Sequence, residues 1–399
     1  MIYILYGRDV LSMAEEFLQR TWAEIDLDRI AHNYRILRRC AGDSARFLGV
    51  VKANAYGCGA VQVARKLEEV GADYLAVACL DEVRELRDAG ISLPILILGY
   101  TPPEMTAQLI RYGVTQSVSC EADAAEYSKY AAACGETLKI HIKVDTGMTR
   151  LGFSVRGDFF HDSVDAIART CALPNLEAEG IFTHMAVSDE PDADSEAYTR
   201  EQFALFTGTI DALAERDCRF AIRHCANSGA TAMYPEMALD MVRPGLVLYG
   251  AGDLAAQLGL KPVMRLKTTV YSTRRVAAGT TVSYGRTFRT EAPTRTGVLP
   301  IGYADGLFRC FSNRLSVMTV QGPAPVLGRI CMDMCIVDLT ALDQVQTGDT
   351  VEIFGDSQSV NDLAAMAGTI PYELMCAVSR RIPRVYLENG AVTERRLYL

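Results

Sequence analysis

An apolar run beginning at Phe47 ends on a single lysine, Lys52, and is followed by Ala53-Asn54-Ala55-Tyr56-Gly57-Cys58-Gly59. A lysine at the end of a buried strand is unusual, because burial disfavours the ammonium form. It can snorkel or pair with a carboxylate, or be held partly neutral so that its amine attacks a carbonyl. Other reactive residues fall at corresponding places further along. Lys143, Asp145 and Arg150 close one apolar stretch and His184 closes another; Asn227-Ser228-Gly229 follows a third and Arg243-Pro244-Gly245-Leu246 a fourth. Ser228-Gly229 and Gly245-Leu246 can offer hydroxyl and backbone N–H groups to a phosphate, with a phenol from Tyr56. A lysine beside a phosphate-binding mouth suits pyridoxal phosphate, whose aldehyde a strand-end lysine captures. A sugar-phosphate aldolase working through a Schiff-base lysine would place its residues similarly.

The elements that must position these residues are short apolar strands at 47–53, 74–79, 94–98, 115–119, 138–145, 178–184, 220–226 and 241–248. Helical patterns lie between them, as at 81–89, 103–112, 122–134 and 198–216, and another, 27–37, precedes the first strand. Gly71, Gly90, Gly113 and Gly135 each sit just past a helix end, where a left-handed cap favours glycine. Strand–helix alternation predicts an α/β fold with a parallel sheet, and eight rounds fit a (β/α)8 barrel of the TIM type. The alternative, an open doubly wound sheet, is weakened because no G-x-G-x-x-G follows the first strand. In a barrel the chemistry sits at the carboxyl ends of the strands, where all of these reactive residues fall. Beyond Gly250 long helical patterns disappear until 360–367, and β-rich segments between Gly, Pro, Asp and Asn predict an all-β domain. The expected division is an N-terminal extension at 1–20, a barrel at 21–253 and a β domain at 254–399.

Composition narrows the classes. The chain has 399 residues, 49% hydrophobic and 22% charged, as expected of a folded soluble protein. A net charge of −9 with no basic run argues against nucleic acid as a partner. No apolar run reaches membrane-spanning length. The twelve cysteines form no C-x-x-C pair; even Cys331 and Cys335, which flank a strand-like stretch, read as buried thiols of a reducing cytoplasm rather than as ligands of a metal. The first twelve residues lack a basic leader and an export core, and Met13 is an alternative start.

Several segments closely resemble the alanine racemase family. They are Val51-Lys52-Ala53-Asn54-Ala55-Tyr56-Gly57, Lys143 to Gly152, Ser283-Tyr284-Gly285, Gly302-Tyr303-Ala304-Asp305-Gly306, Arg329-Ile330-Cys331-Met332-Asp333 and Pro371-Tyr372-Glu373. The resemblance runs in order from Thr21 to Arg384. It implies a pyridoxal-phosphate barrel with a β domain, assembled as a head-to-tail homodimer that interconverts L- and D-alanine and supplies D-alanine for peptidoglycan. By resemblance, Lys52 would carry the cofactor as an aldimine and act as one base. Tyr284 from the partner's β domain would be the other. Arg243 would face the pyridine nitrogen, with His184 beside it. Arg150 and the backbone of the partner's Met332 would meet the substrate carboxylate. Tyr56, Asn227, Ser228, Gly245, Leu246 and Tyr372 would belong to the cofactor site. Asp189, Tyr303, Arg309 and Arg329 would line the entrance. Lys143 matches a position carried as a carbamate in some members, where it would orient Arg150.

The chemistry agrees with these roles. Racemisation removes the Cα proton from one face and returns one to the other, which two bases on opposite sides do directly. Lysine and tyrosine ordinarily titrate near about pH 10, so nearby cations are needed to make them useful at neutrality. Arginine at the pyridine nitrogen can only donate, so that nitrogen stays unprotonated and the electron sink is weakened. Cys58, Thr149 and Met334 depart from residues frequent in the family, at positions given no part in proton transfer. Tyr372 favours alanine over serine or lysine as substrate, since a smaller residue would open room. Decarboxylases of this architecture place an acid where Arg243 stands. Cofactor carriers built on the barrel alone lack the domain that holds Tyr284 and Met332.

Overall fold

Parallel strands buried on both faces read as unbroken apolar runs, and the first half of the chain is built from such runs. In the computed structural model, which describes residues 20–398, the described residues form two compact units, one of residues 29–261 and one of residues 20–28 together with 262–398. The expected extension at 1–20, including the alternative start at Met13, lies outside the described residues but for Arg20.

The unit of residues 29–261 holds eight parallel strands in the order in which the sequence presents them. They are β2 (Arg46–Val50), β3 (Tyr74–Val77), β4 (Ile95–Ile97), β5 (Thr115–Val118), β6 (Leu138–Asp145), β7 (Leu176–Phe182), β8 (Ile222–His224) and β9 (Met241–Val242). Each pairs with the next from β2 to β8, and β9 pairs with β2. Backbone bonds from Asp240 N–H to the Arg223 carbonyl (3.1 Å) and from Arg243 N–H to the Ala226 carbonyl (2.9 Å) join β8 to β9 and close the ring. Each of the eight expected strands overlaps an observed one; β2 and β7 begin one and two residues earlier than expected. The barrel helices α2 (Ala60–Glu69), α3 (Leu80–Asp88), α4 (Thr106–Arg111), α5 (Glu121–Cys134), α6 (Phe160–Cys171) and α7 (Ala193–Ala214) follow successive strands. Helix α3 buries Leu80, Val83 and Leu86 at a three-residue spacing, the stripe that seats it on the sheet. Gly71, Gly90, Gly113 and Gly135 do take left-handed backbone, with φ of 90°, 82°, 59° and 68°.

The second unit contains β1 (Thr21–Asp26), which leads into helix α1 (Leu27–Ala41). Sequence reasoning assigned 21–28 to the barrel; instead β1 pairs antiparallel with β10 (Met264–Thr269) and parallel with β19 (Arg384–Glu388). Its segment Thr21-Trp22-Ala23-Glu24-Ile25-Asp26 is nearly all buried, so it needs partners on both sides, and these come from far along the chain. The main sheet also includes β15 (Ser316–Thr319), β16 (Gly322–Pro325), β18 (Thr350–Phe354) and β20 (Ala391–Arg396). A smaller sheet joins β11 (Ser272–Val276), β14 (Thr294–Leu299) and β17 (Cys335–Asp338). A hairpin pairs β12 (Thr281–Val282) with β13 (Phe288–Arg289). No helix among the described residues is long and apolar enough to cross a membrane.

Candidate active site

Strand β2 stops at Val50 and Lys52 lies two residues on, at the carboxyl end of the barrel. The chain then takes up a rare local conformation. Ala53, Asn54 and Ala55 have φ/ψ near 52°/48°, 54°/46° and 52°/52°, and Tyr56 has φ of 53°, a full turn of left-handed helix in non-glycine residues. Each such L-residue costs roughly 1–2 kcal/mol. The turn is therefore held from outside: the Asn54 side chain accepts from Ala60 N–H at 2.8 Å and a Glu82 carboxylate oxygen accepts from Ala53 N–H at 2.6 Å. Lys52 is partly exposed and Tyr56 buried, so the turn displays an amine at one end and fixes a phenol at the other.

The Tyr56 ring packs 4.8 Å from that of Tyr249, and its hydroxyl faces Gly245. A Cβ at Gly245 would come within 2.6 Å of the Tyr56 oxygen and 3.8 Å of Ser228 Oγ, so glycine keeps this corner open. Gly245 N–H donates to Ser228 Oγ at 2.9 Å. Hydroxyls and a backbone amide thus meet in a cradle that suits a phosphate. Leu246 is buried beside it. Asn227 shapes the loop instead: Oδ1 accepts from Ala230 N–H and the Ser188 hydroxyl, and Nδ2 donates to the Met185 carbonyl. Asp189 is exposed, and its backbone lies against Gly229, where a Cβ would meet Asp189 N at 2.7 Å.

Arg243 is the buried cation of the barrel. One terminal nitrogen donates to the Thr183 carbonyl at 2.7 Å and the Cys225 carbonyl at 3.2 Å; the other lies 2.9 Å from His224 Nδ1. Burial lowers its pKa to about 10, so it stays protonated at neutrality. A guanidinium only donates, which leaves His224 Nδ1 unprotonated and puts the proton on Nε2. His224 Nε2 lies 2.9 Å from His141 Nδ1, and His141 Nε2 lies 3.2 Å from Glu179 Oε2. The only consistent assignment makes both imidazoles neutral Nε2–H tautomers, every donor pointing from Arg243 towards Glu179. Glu179 also accepts from Tyr74 at 2.8 Å and Lys139 at 2.9 Å, and these bonds, that of His141 foremost, hold its carboxyl below the usual range. Sequence reasoning missed His141, His224, Glu179 and Glu82.

His184 is held neutral well below its ordinary pKa, first by burial and then by Arg243, Lys143, Arg150 and Lys52. Those four sequence-selected cations therefore surround it. Lys143, buried, is pushed well below its ordinary range by burial and then by Arg243 and Arg150. Its Nζ lies 4.8 Å from the Phe182 ring centroid and makes a long 3.4 Å bond to the Val144 carbonyl. Arg150 is exposed on a turn that Asp145 organises by accepting from Gly147 N–H (2.9 Å) and Thr149 N–H (3.0 Å). Thr149 has φ of 55° there, which explains why glycine suits this position.

Tyr284, Tyr303, Arg309, Arg329, Met332 and Tyr372 belong to the other unit. Tyr284 is 71% and Met332 53% exposed. Ser283 (φ 61°) and Arg286 (φ 51°) hold Tyr284 on a strained loop, and the Ser283 hydroxyl donates to the Arg329 carbonyl. A Cβ at Gly285 would fall 2.6 Å from the Arg329 guanidinium. Tyr303 N–H donates to the Cys331 carbonyl at 3.0 Å, tying its loop to that of Met332. Beneath that loop lies Asp305, fully buried, paired with Arg381 at 2.8 Å and Arg20 at 3.2 Å. Arg309 is exposed, and Tyr372 lies in the first turn of the helix Pro371–Ala377. Among the described residues no cluster of His, Cys, Asp and Glu could hold a metal ion.

Comparison with known proteins covers nearly the whole chain. Residues 25–253 match the family model described as alanine racemase, N-terminal domain, and residues 263–386 the model of its C-terminal domain. Alanine racemase 2 of Caldanaerobacter subterraneus subsp. tengcongensis is 42% identical over 389 residues, covering 96% of this chain and 98% of its own. Alanine racemase 1 of Clostridium acetobutylicum is 43% identical, with 96% and 99% covered. Among solved structures, alanine racemase of Clostridium difficile 630 superposes with a TM-score of 0.91 at 37% identity, covering 96% of this chain and 100% of its own.

The histidine chain sets a pH dependence. His141, His184 and His224 all have pKa values lowered by burial, so the unfolded chain takes up protons near pH 6.5 that the folded chain refuses. The histidines' contribution to stability is complete above that pH and is lost below it, by about 1.4 kcal/mol per pH unit for each histidine. Glu179, with its lowered pKa, adds a loss of the same sign once the pH falls below 4.5. Urea unfolding of the cofactor-free protein measures the slope, and nitrogen NMR reads the tautomers. A protonated Nδ1 on His224 would refute the assignment.

Proposed function

Because this chain belongs to the alanine racemase family and interconverts L- and D-alanine, we propose that it does so with pyridoxal phosphate, using Lys52 and Tyr284 as bases on opposite faces of the substrate. The observation that supports this reading is the left-handed turn that carries Lys52 at one end and Tyr56 at the other, with the Tyr56 hydroxyl against the Ser228–Gly245 cradle. When bound, the cofactor delocalises the electron pair left on Cα as the proton departs. Everything else falls to the protein. Tyr56, Ser228 and the backbone at Gly245 and Leu246 hold the phosphate; Arg243 donates towards the pyridine nitrogen without giving up its proton. The neutral His184 sits beside it, and Arg150 receives the substrate carboxylate. Lys52 takes or returns the Cα proton on one face and Tyr284 on the other.

Tyr284 acts across the interface of a head-to-tail homodimer, together with the backbone of Met332. The exposure of both side chains and the strained loop beneath Tyr284 support this. Tyr303, Arg309, Arg329 and Asp189 screen the entrance. The product serves peptidoglycan synthesis in the cytoplasm.

Proton NMR in heavy water with L-alanine follows loss of the Cα proton signal, and chiral analysis follows the D-isomer. Tyr284→Phe is expected to slow turnover by about a hundredfold or more. Mixed dimers of Lys52→Ala and Tyr284→Phe subunits regain activity through one intact site; verified hybrids as inactive as either parent would contradict the shared geometry.

Gly245→Ala places a methyl group against the Tyr56 oxygen. At about 1–3 kcal/mol for an overpacked contact, the cofactor dissociation constant rises roughly tenfold or more. An unchanged constant by absorbance titration would exclude this corner from the phosphate site.

Lys143 is proposed to carry a carbamate, because burial pushes its pKa well below the ordinary lysine range and so favours the neutral amine, the form nucleophilic towards carbon dioxide. Native mass spectrometry is expected to show one extra carbon dioxide per subunit, absent in Lys143→Ala. Identical masses, after subtraction of the substitution, would rule it out.

A further inference from the structure

The β2–β3 ladder runs Leu48↔Tyr74, Gly49↔Leu75, Val50↔Ala76, and its last rung is Val51 N–H to the Ala76 carbonyl at 2.9 Å. Continued by one step, Ala78 N–H would donate to the Val51 carbonyl and Ala53 N–H would find a partner on the β3 side. The left-handed turn prevents this. The Val51 carbonyl rotates to accept Ala55 N–H at 2.8 Å, so the N–H groups of Ala53 and Ala78 are stranded where the two strands part. One side chain takes both: Glu82 Oε1 accepts from Ala53 at 2.6 Å and Glu82 Oε2 from Ala78 at 2.7 Å. Glu82 lies in the first turn of α3, where a negative charge is favoured by the helix dipole. Its carboxylate replaces the missing rung and ties the start of the turn to the neighbouring strand.

We propose that Glu82 is a positioning residue which, by capping Ala53 and Ala78 together, holds the left-handed turn and so fixes Lys52 relative to Tyr56. This rests on the reading that Lys52 and Tyr56 grip opposite ends of pyridoxal phosphate, the aldehyde and the phosphate. Glu82 acts on the backbone, through the Ala53 and Ala78 N–H groups. Its effect is to make the two grips simultaneous, so that binding one end aids the other. Glutamine at this position is the informative change. It keeps size and reach but presents one acceptor and one donor, so it can serve only one of the two N–H groups.

Two measurements separate the proposal from the reading beneath it. Hydrogen exchange on the cofactor-free protein reports the turn alone: Glu82→Gln is expected to speed exchange across residues 53–59 about tenfold or more, with the other strands unchanged. Absorbance titrations with pyridoxal phosphate and with pyridoxal, which lacks the phosphate, report the coupling: the preference for the phosphorylated aldehyde is expected to shrink about tenfold. Unchanged exchange in 53–59 would overturn the proposal, as would faster exchange with the preference intact. Should Glu82→Gln unfold the whole chain, Glu82→Asp, with both acceptors and a shorter reach, is expected to give the same local loosening and the same narrowing at smaller amplitude; neither appearing would overturn it. If the unaltered protein binds neither aldehyde, the cofactor reading falls while the exchange result still judges the turn.

Discussion

A guanidinium buried in the middle of a barrel is the constraint on which much of the first unit depends. Arg243 is 4% exposed, and a buried cation is tolerated only when its donors are used and its charge is answered. Two carbonyls and one imidazole take three of its five N–H donors. The answering charge is Glu179, reached through two histidines. Each relay member makes its own demand on sequence. His141 fits only because β7 carries Gly180, where a Cβ would fall 2.7 Å from the imidazole. His224 lies flat against Phe182, with ring centroids 4.8 Å apart and planes 8° apart. Strands β6, β7, β8 and β9 are thus committed, residue by residue, to keeping one positive group at the floor of the site.

The barrel was legible because its strands are short, apolar and stopped by capped helices, all local signals. The strand-end residues were legible for a related reason: a polar group that interrupts an apolar run at its carboxyl end has few structural uses. The relay was not legible, because its members are paired with residues 83 and 38 positions away. A signal did exist. Lys139, His141, Lys143 and Asp145 alternate along a single strand, the period of one strand face, and three of them hold or organise groups at the two ends of the barrel. β1 was missed in the same way: nothing local in Thr21–Asp26 says that its partners are β10 and β19.

The second unit solves a different problem. Where the barrel buries its functional groups, this unit keeps Tyr284, Tyr303 and Met332 outside. Large exposed apolar groups carried on strained backbone need firm support underneath. Asp305 supplies it, fully buried between Arg381 and Arg20 and accepting Gly302 N–H at 2.9 Å. Here too a buried charge is answered, but by ions in direct contact, so the loop above it is fixed without entering a core.

The charge distribution joins these observations. The chain as a whole is acidic, at −9, yet Lys52, Lys143, Arg150 and Arg243 gather around one neutral histidine. Positive groups brought together disfavour one another's protons, and the lowered pKa values of His184 and Lys143 register that cost before any ligand arrives. A dianionic phosphate and a substrate carboxylate would relieve it, so part of their binding energy comes from repulsion already stored in the fold. Lys143 is where the chain itself can lessen the strain: burial already disfavours its proton, and a carbamate there would add an anion near Arg150. Neutral His184 fits the same pattern: burial and the neighbouring cations keep it from adding a fifth positive charge to the group.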